Sequence, residues 1–392
     1  MKRVCLIRLG LYPEDPRVRR DAEILESAGI SVDIICLRGT GQPKVEEFGL
    51  VTAYRVTRER PKEAIFQYLR LSFRFLVAAF LKLRVLSAKT RYHVVQVHNM
   101  PDFLVFVAIV ERICGKPVVL DIHDLSVELF QSKWGRRRSA AIPIVKFVEK
   151  VSCKCANHLL TASEGFKKRL VTRGIPAEKI TLMLNAPDPH IFKFQPDRKF
   201  EPIERGAKVL YYGTVAERFG LVQAVESLAR LQDWVPDSTL EIYGKYDPSY
   251  RDTLLRTIDR LGLANHVFLR GWLDAEKIGE IAANSDFGLI PYLSDDFMNL
   301  ALSTKAFEYA TMGLPFVASR LDPIVWAFGT NCVPLAEPGN ASDFAGKIYD
   351  LCRKPDLRRS KVQQAREAVA TISYEVMKDR YLDLVRGLMG EG

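Results

Sequence analysis

The stretch NLALSTKAFEYATMGLPFVAS, Asn299–Ser319, predicts a loop, a short helix and a buried strand in direct succession. Ser303 or Thr304 can cap the start of the helix, Gly313 stands where a left-handed C-terminal residue is favoured, and Pro315 prevents continuation. The apolar FVAS that follows predicts a strand packed on both faces. A unit of this kind points the amides of a helix N-terminus at an anion.

Lys305 and Glu308 lie three residues apart and therefore share one face of that helix. A lysine near the helix start can meet a phosphate, and a glutamate one turn later can accept hydrogen bonds from sugar hydroxyls. The pair fits a diphosphate sugar. An exposed Lys–Glu pair on a surface helix would give the same pattern, and the pair alone does not separate the two interpretations.

The composition favours a soluble protein of about two domains, because 392 residues are too many for one ordinary core. The net charge of +10 favours anionic partners, and basic residues concentrate at Arg17–Arg20, Lys62–Arg91 and Arg136–Arg138. No zinc-finger spacing, aromatic RNA-binding strand or helix-turn-helix pattern accompanies them, which argues against nucleic acid. The seven scattered cysteines indicate reduced thiols, and Met1 leads into a strand-like segment without a secretory signal. We therefore expect a cytoplasmic protein.

Short apolar segments alternate with helical ones along the chain, as in parallel sheets with crossover helices. A turn-rich stretch without periodicity, 186–206, separates two such series and predicts a linker. The expected fold class is α/β, with two tandem Rossmann-like domains, each a doubly wound parallel sheet, facing a cleft: 1–193 and 194–373. The amphipathic segment 374–392 is expected to cross back and pack on the first domain.

Ligands of doubly wound sheets bind beyond the carboxyl ends of the strands. In the second series, KVLYY opens into GTVAERFG, Gly213–Gly220, where glycines permit close backbone approach and Arg218 can reach a phosphate. Arg218 paired with Glu217 on a solvated loop is the alternative. HVFLRGW ends at Gly271 and Trp272, which could form a slot for a base, although an ordinary core tryptophan is slightly favoured. Neither a Walker A loop nor a GxGxxG fingerprint is present.

In the first series, His98 and His123 end the consecutive strands VVQVH and VVLDIH. Two histidines at corresponding strand ends favour a functional role over a structural one. Asp102, Asp121 and other acids lie nearby, but no HExxH, DxD or cysteine/histidine set accompanies them, and we predict no metal.

The first strand ends at Gly10 and runs into YPEDPRVRR, where Gly10 and Arg17 could border the phosphate of an acceptor. A solvated helix start is the alternative for Arg17, Arg19 and Arg20, although positive charge is unfavourable there.

The segment KEAIFQYLRLSFRFLVAAFLKLRVL, Lys62–Leu86, predicts a basic amphipathic helix. Its longest uninterrupted apolar run, Phe75–Leu81, is far shorter than the ~20 residues that span a bilayer. Such a helix can lie in an anionic membrane interface or cover a sheet inside its own domain. We favour a helix packed on its own domain with some basic surface facing a membrane.

In this order the motifs resemble those of the GT-B retaining glycosyltransferases, in particular family 4 as found in bacterial polysaccharide assembly. LNAPDPHIF is similar to the family's NGVDxxxF, with Asn185, Asp188 and Phe192 in place. GTVAERFG is similar to the phosphate loop GT(L/I)xxRxG, and STKAFEYATMGLPFVAS to the donor segment (P)xKxFEYMAxGxPVVA. AEILESAGISVDIIC matches the first strand–helix–strand unit, and the resemblance covers nearly the whole chain.

The resemblance implies roles for the site residues. Glu308 would hold the ribose of a nucleoside diphosphate sugar, and Lys305 and Arg218 would neutralise its diphosphate. His98 matches a histidine near the transferred sugar, and with those three residues it makes up the implied catalytic set. The implied acceptor side consists of Gly10, Arg17, His98 and His123. The implied donor-binding set is Gly213, Thr214, Arg218, Gly271, Trp272, Asn299, Leu300, Ala301, Leu302, Ser303, Lys305 and Glu308.

The sequence departs from the family pattern at three places. Leu300 stands where an acid normally precedes Glu308 by eight residues, with Asn299 beside it. Only Gly10 remains of a double glycine in the first loop, and Thr214 replaces an arginine often found after the phosphate-loop glycine.

We therefore predict a metal-independent, cofactor-free retaining hexosyltransferase, peripheral at the inner face of the cell membrane. It would move a sugar from a nucleoside diphosphate donor to a glycan or polyprenyl-linked acceptor in cell-surface polysaccharide biosynthesis. Two alternatives stay open: a sugar-nucleotide 2-epimerase-like enzyme of the same fold, and a non-catalytic relative that binds a glycan or a partner.

Overall fold

The computed structural model describes residues 2–59, 65–134 and 140–390, which form two compact units. Unit 1 consists of Met1–Asn185 with Met377–Gly392, and unit 2 of Ala186–Val376. The units thus divide at 185/186 and 376/377. The boundaries predicted from the sequence were 193/194 and 373/374. The linker predicted at 186–206 contains neither helix nor strand. The basic cluster Arg136–Arg138 and the first residues of Lys62–Leu86 lie outside the described residues.

Unit 1 is built on an eight-stranded sheet of the described residues, in the order β3-β4-β2-β1-β5-β6-β7-β8. The strands are β1 (Arg3–Arg8), β2 (Ser31–Arg38), β3 (Val45–Phe48), β4 (Val51–Arg58), β5 (Val94–His98), β6 (Val118–Ile122), β7 (His158–Thr161) and β8 (Ile180–Leu182). Every neighbouring pair is parallel except β3 with β4. The sequence missed this hairpin because the inward row of β4 includes the buried Arg55, which breaks the apolar alternation.

Helices cover the sheet of unit 1. They are α1 (Pro16–Ser27), α2 (Ile65–Ser87), α3 (Ile109–Ile113), α4 (Ser126–Trp134), α5 (Ile142–Cys155) and α6 (Glu164–Thr172). Asp15 caps α1 by accepting a hydrogen bond from the Arg17 amide at 3.1 Å, and Pro16 takes the first helical position. A 3-10 helix, Asp102–Ala108, precedes α3.

Unit 2 is built on a six-stranded sheet of the described residues, in the order β11-β10-β9-β12-β13-β14, with all neighbours parallel. The strands are β9 (Lys208–Tyr212), β10 (Thr239–Tyr243), β11 (Val267–Gly271), β12 (Phe287–Ile290), β13 (Phe316–Ser319) and β14 (Leu335–Ala336). Its helices are α7 (Leu221–Gln232), α8 (Pro248–Arg260), α9 (Ala275–Ala283), α10 (Thr304–Met312), α11 (Asp322–Phe328), α12 (Ala341–Arg353) and α13 (Pro355–Ala370). The predicted fold class, two tandem parallel-sheet α/β domains, is therefore confirmed.

The last helix, α14 (Tyr374–Leu388), returns to unit 1 from Met377 onward. The Tyr381 hydroxyl donates a hydrogen bond to Gln96 Oε1 at 2.7 Å, and Arg380 donates to the Leu182 carbonyl at 3.0 Å. The predicted crossing back of the C-terminal helix is confirmed by these contacts. None of the described helices combines the length and the apolar content that a bilayer-spanning helix needs.

Each sheet has a point at which the strand order reverses. It lies between β1 and β5 in unit 1 and between β9 and β12 in unit 2. Loops on either side of such a point leave in opposite directions, which opens a space for a ligand at the carboxyl ends of the strands. In unit 1 this point is marked by Arg8 opposite His98, and in unit 2 by the residues after Tyr212 and Ile290.

Gly288 in β12 allows α10 to lie close to the sheet. A Cβ on Gly288 would fall 2.7 Å from the ring of Tyr309, which α10 carries and whose hydroxyl donates to the Leu210 carbonyl at 3.1 Å. The glycine therefore sets the position of the helix that bears Lys305 and Glu308.

We expect Gly288→Ala to lower the free energy of unfolding by about 1–3 kcal/mol, because the added methyl displaces a buried ring. Urea unfolding measures this. Gly346→Ala is the matched control: Gly346 lies in α12 with open space beside it, so the change is expected to stabilise by roughly 0.5–1 kcal/mol. Equal effects of the two substitutions would contradict the proposed packing role of Gly288.

Candidate functional site

Three glycines stand at the carboxyl ends of neighbouring strands in unit 2: Gly213 after β9, Gly244 after β10 and Gly271 at the end of β11. We call them the glycine row. The Gly244 amide donates to the Gly271 carbonyl at 2.6 Å, and a Cβ on Gly244 would lie 1.6 Å from the Gly213 carbonyl oxygen. Their φ angles are 127°, 156° and 77°, which glycine adopts at least cost. The strand ends thus present bare backbone.

Lys305 lies over one end of the glycine row. A Cβ on Gly213 would fall 2.3 Å from Lys305 Cε and 2.6 Å from its Nζ. Nζ donates to the Tyr292 hydroxyl at 2.9 Å, and the rings of Tyr211, Phe219 and Tyr292 surround it at 5.6–5.8 Å. Among the described residues Lys305 forms no ion pair, so its charge is available to an anion.

Glu308 follows Lys305 by one turn and is partly exposed. Its Oε2 accepts a hydrogen bond from the Tyr212 hydroxyl at 2.6 Å, and Thr304 also bonds to the carboxylate. Burial raises the pKa of Glu308, although the Tyr212 hydrogen bond and the charge of Lys305 act in the opposite direction. These two hydrogen bonds hold the carboxylate in one orientation.

The loop before α10 already uses several of its amides. The amide of Asn299 donates to the Asp295 carbonyl at 3.0 Å, and those of Leu300 and Ala301 donate to the Phe297 carbonyl at 3.0 and 2.9 Å. The family resemblance places Asn299, Leu300 and Ala301 in the donor-binding set. In this conformation the amides of these three residues are bonded within the loop.

The free amides begin further on, at the helix itself. Over the described residues, no hydrogen bond is found from the amides of Leu302, Ser303 or Thr304. Ser303 occupies the N-cap position of α10 but does not cap it, because its hydroxyl bonds to the Tyr292 hydroxyl at 3.1 Å. The predicted side-chain cap is therefore wrong, and an uncapped helix N-terminus results, with Lys305 in its first turn. Such a terminus favours an anionic ligand.

Leu300, at the position where the family has an acid, and its neighbour Asn299 are both half-buried. The Asn299 amide group donates to Ser294 Oγ at 2.9 Å, and Leu300 contributes no polar group at the acid position.

The loop Gly213–Gly220 packs on the segment after β12. Gly220 has φ 64°, and a Cβ there would lie 1.8 Å from the Pro291 carbonyl oxygen, so the loop is pinned at its far end. The Arg218 guanidinium lies 5.4 Å from the ring centre of Phe219 and 5.5 Å from that of Phe297. Lys305 Nζ lies 5.8 Å from the same Phe219 ring, so both cations border this ring, and the side chain of Thr214 is exposed.

Trp272 follows the other end of the glycine row. Its side chain is 64% exposed, so the slightly favoured interpretation as a core residue is wrong. Lys245 Nζ lies 4.6 Å from the centre of its ring, a cation–π contact. The Gly271 amide donates to the Tyr246 hydroxyl at 3.2 Å. Exposed aromatic and basic groups thus stand beside bare backbone.

In unit 1, His98 and His123 meet at Asp121. His98 Nδ1 and His123 Nε2 lie 3.0 and 3.1 Å from Asp121 Oδ2 and 3.0 Å from each other. All three residues are buried, His98 completely. Among the described residues this is the one group of three side chains arranged to hold a metal ion.

The hydrogen bonds behind His98 assign its proton. The Gln96 side chain accepts from the Tyr381 hydroxyl and donates to Asp21 Oδ2 at 2.9 Å, so its nitrogen faces His98 Nε2 at 3.4 Å. His98 Nε2 therefore accepts, and its Nδ1 carries the proton and donates to Asp121. A metal ion on Nδ1 would have to displace this proton, which makes the group a poor fit for a metal in this arrangement.

Charges of α1 act on the same group. Burial and then the charge of Arg17 lower the pKa of His123 to about 3, against the opposing effect of Asp121. Burial alone would raise the pKa of Asp15, but Arg17 and Arg8 outweigh it and hold that pKa well below its usual range. The structure thus brings the predicted acceptor-side residues Arg17, His98 and His123 together.

The two arginines beside Arg17 are differently placed. Arg20 pairs with Asp21 at 2.9 Å and is largely buried, so the solvated alternative is wrong for it, while Arg19 lies 3.8 Å from Glu23. Gly10 accepts a hydrogen bond from the Leu37 amide at 2.9 Å, which ties the end of β1 to β2.

Several site residues escaped the sequence analysis. They are Gln96, Tyr212, Gly244, Tyr292 and Tyr381. A glutamine inside the apolar strand VVQVH is the one clear signal, because an unpaired polar group is rarely buried. The tyrosines look like ordinary strand or helix residues.

Comparison with known proteins defines the class. A model described as glycosyl transferase 4-like domain matches residues 15–186, and a model described as glycosyl transferases group 1 matches residues 206–354. The matches cover most of the chain, and with the two α/β units they define a GT-B glycosyltransferase. The chain belongs to the glycosyltransferases that join a 4-like domain to a group 1 domain. No curated protein matches the sequence.

Solved structures share this fold along the whole chain. The sucrose-phosphate synthase of Thermosynechococcus elongatus is 19% identical with a TM-score of 0.77, and each chain is covered completely. A trehalose-phosphate synthase of Burkholderia vietnamiensis is 15% identical with a TM-score of 0.74, covering 100% of this chain and 98% of that one. Anabaena HepE, solved with UDP and glucose, is 15% identical with a TM-score of 0.70, covering 99% and 100%. These are similarities of fold.

We expect the His123 ring to stay neutral between pH 7 and pH 5, because its folded pKa lies near 3. An unfolded histidine takes up a proton near pH 6.5, whereas folded His123 does not. This group therefore lowers the stability of the folded state as the pH falls below that value. Histidine NMR measures the titration, with His123→Gln assigning the signal. A His123 midpoint near 6.5 would contradict the burial and the charge of Arg17 as its causes.

Proposed function

We propose that this glycosyltransferase moves a hexose-type sugar from a nucleoside diphosphate donor held by unit 2 to a glycan or polyprenyl-linked acceptor. The observation that carries the proposal is the position of Lys305, whose ammonium rests over Gly213 at an uncapped helix N-terminus and has no carboxylate paired to it in the described part of the chain. A doubly charged diphosphate matches this arrangement better than a neutral ligand does.

The donor diphosphate lies, in this proposal, between Lys305 and the first amides of α10. Arg218 adds a planar guanidinium that can bind two phosphate oxygens, and it is held near the same aromatic ring as Lys305. Cations at this place stabilise the diphosphate most when the glycosidic bond breaks, because the leaving oxygen gains charge then. The same groups that bind the donor therefore assist departure of the nucleoside diphosphate.

The nucleoside would extend along the glycine row toward Trp272. Bare backbone lets a flat base approach the strand ends, and Gly271 and Trp272 border it. Glu308, oriented by Tyr212, accepts hydrogen bonds from the ribose hydroxyls. Anabaena HepE has been solved in complex with UDP, which makes UDP-sugars the first donors to test.

Retention of configuration is part of the proposal through the family resemblance. The bond from the sugar C1 to the diphosphate breaks, and the acceptor hydroxyl oxygen bonds to C1 on the same face. The acceptor proton passes to the departing phosphate oxygen. No nucleophilic carboxylate is required, and Glu308 stays with the ribose.

We propose that transfer needs no metal and no cofactor. Lys305, Arg218 and the amides of α10 supply the positive groups that a divalent ion supplies elsewhere, and the Nδ1 proton of His98 competes with a metal at Asp121.

On the acceptor side, we assign the ends of β1, β5 and β6 in unit 1, where Gly10, Arg17, His98 and His123 occur. Arg17 is more exposed than His98 or His123, and its guanidinium suits the phosphate of a polyprenyl-linked acceptor. His98, completely buried, would act by positioning through Asp121 and His123. Such an acceptor is consistent with a role of the enzyme in cell-surface polysaccharide synthesis.

We expect Lys305→Met and Glu308→Gln each to weaken binding of the nucleoside diphosphate by roughly tenfold to a hundredfold, since each removes charge-assisted hydrogen bonds. Isothermal calorimetry with UDP, GDP and dTDP measures this. The matched control is Lys208→Met, at the opposite end of β9, which should bind like the unmodified protein. Unchanged affinity in Lys305→Met would refute the proposed diphosphate site.

We expect a panel of UDP-, GDP- and dTDP-sugars to contain one donor that releases its nucleoside diphosphate slowly in water, faster with acceptor, and not in Lys305→Met. Proton NMR of the product should give the anomeric configuration of the donor. Interconversion of free sugar nucleotides would indicate an epimerase, and calorimetry without binding of any nucleotide would indicate a non-catalytic relative.

A further inference from the structure

Helix α2 is apolar on two opposite sides. Leu71, Phe75, Ala79 and Leu83 recur every four residues and are buried against β2, β4 and the 3-10 helix. A second row is offset from the first by two residues, about 200° around a helix. Its members are large apolar side chains exposed to solvent: Phe66, Leu69, Phe73, Val77, Leu81 and Val85. Packing within unit 1 explains the first row only.

Helix α5 also carries apolar side chains that are exposed to solvent. Like α2, it packs against the 3-10 helix Asp102–Ala108, which itself packs on β5 and β6 of the sheet of unit 1. On the outside of α5, Ile144 and Phe147 are both 67% exposed, and Ile113 of α3 is also exposed. We call the exposed residues of α2 and α5 together the docking face.

The exposed charges on the described residues of α2, α3 and α5 have one sign. The described residues of α2, α3 and α5 include two acids, Glu111 and Glu149. Both are buried and paired, Glu111 with Arg84 at 2.6 Å and Glu149 with Arg173 at 2.5 Å. The exposed charged side chains of these helices are therefore cations: Arg70, Arg74, Lys146, Lys150 and Lys154.

We infer that the docking face binds the surface of a bilayer that contains anionic lipid. The apolar row of α2 would enter the boundary between headgroups and acyl chains, with Arg70 and Arg74 at the lipid phosphates. Neither helix crosses the membrane. A second copy of the chain is a poor occupant, because a two-fold interface would set these cations against each other. All residues of the docking face belong to unit 1, so the inference is independent of the donor site.

The test uses the full chain and vesicle flotation. The protein should float with equimolar phosphatidylglycerol–phosphatidylcholine vesicles, bind pure phosphatidylcholine vesicles much less, and dissociate as ionic strength approaches about 1 M. Phe73→Ser/Leu81→Ser should lower the partition coefficient roughly tenfold or more. Arg70→Gln/Arg74→Gln should lower the preference for anionic vesicles by roughly tenfold while keeping residual binding.

Matched controls separate the docking face from general surface properties. Trp234→Ser/Trp326→Ser removes two exposed apolar side chains of unit 2, and Arg251→Gln/Arg256→Gln removes two exposed cations of α8; neither should change flotation. Absence of binding to anionic vesicles at low salt overturns the inference, as does an equal loss in test and control variants. A dimer in sedimentation that Phe73→Ser/Leu81→Ser dissolves, with vesicle binding unchanged, would assign the docking face to a second copy. Unchanged nucleotide affinity in these variants keeps this outcome distinct from that of the proposed donor site.

Discussion

The close approach of Lys305 to Gly213 is the constraint on which the candidate donor site depends. Any side chain at Gly213 would occupy the place of the ammonium, and any side chain at Gly244 would strike the Gly213 carbonyl. Backbone contact across three parallel strands therefore fixes where the cation sits. Gly288 acts from the other side, since it lets α10 approach the sheet. Among the described residues Lys305 has aromatic rings beside its ammonium but forms no ion pair, so the proposed diphosphate would supply the opposite charge.

The histidine group of unit 1 depends on a different kind of constraint, a chain of hydrogen bonds between distant parts of the sequence. The Asp21 carboxylate accepts from the Gln96 nitrogen and so orients the amide, Tyr381 of α14 donates to the Gln96 oxygen, Gln96 faces His98, and His98 donates to Asp121. Because the side-chain amide of Gln96 has one accepting and one donating end, fixing one end fixes the other. The C-terminal helix thereby adds one hydrogen bond to the network that reaches the histidine at the strand-order reversal of the sheet. This gives the return of α14 to unit 1 a chemical consequence beyond packing.

Sequence reasoning succeeded where the signal was local. Gly313 ends α10 with φ 68°, and Phe316–Ser319 forms a fully buried strand, because glycine, proline and apolar runs act through their immediate neighbours. It failed where a residue is defined by a distant partner. Nothing around Gly244 in the chain reveals that its Cβ would meet Gly213, and Tyr212 gives no sign that it orients Glu308. The capping role expected of Ser303 failed for the same reason, since Tyr292 competes for its hydroxyl. The β3–β4 hairpin escaped because a buried arginine interrupts its pattern.

For helix α2, the periodicity of the sequence predicted the helix but not which of its sides faces the sheet. A helix that packs on a sheet needs one apolar stripe, and a second stripe on the far side confuses any single hydrophobic face. Burying a large apolar side chain stabilises by roughly 1.5–3 kcal/mol, and an isolated unit 1 does not gain this free energy for the six exposed side chains of α2. The surrounding charges then restrict which partner can cover these side chains. With Glu111 and Glu149 turned inward and paired, the outer surface of α2 and α5 presents cations beside apolar groups, a combination that an acyl boundary under phosphate headgroups satisfies and a purely apolar partner does not.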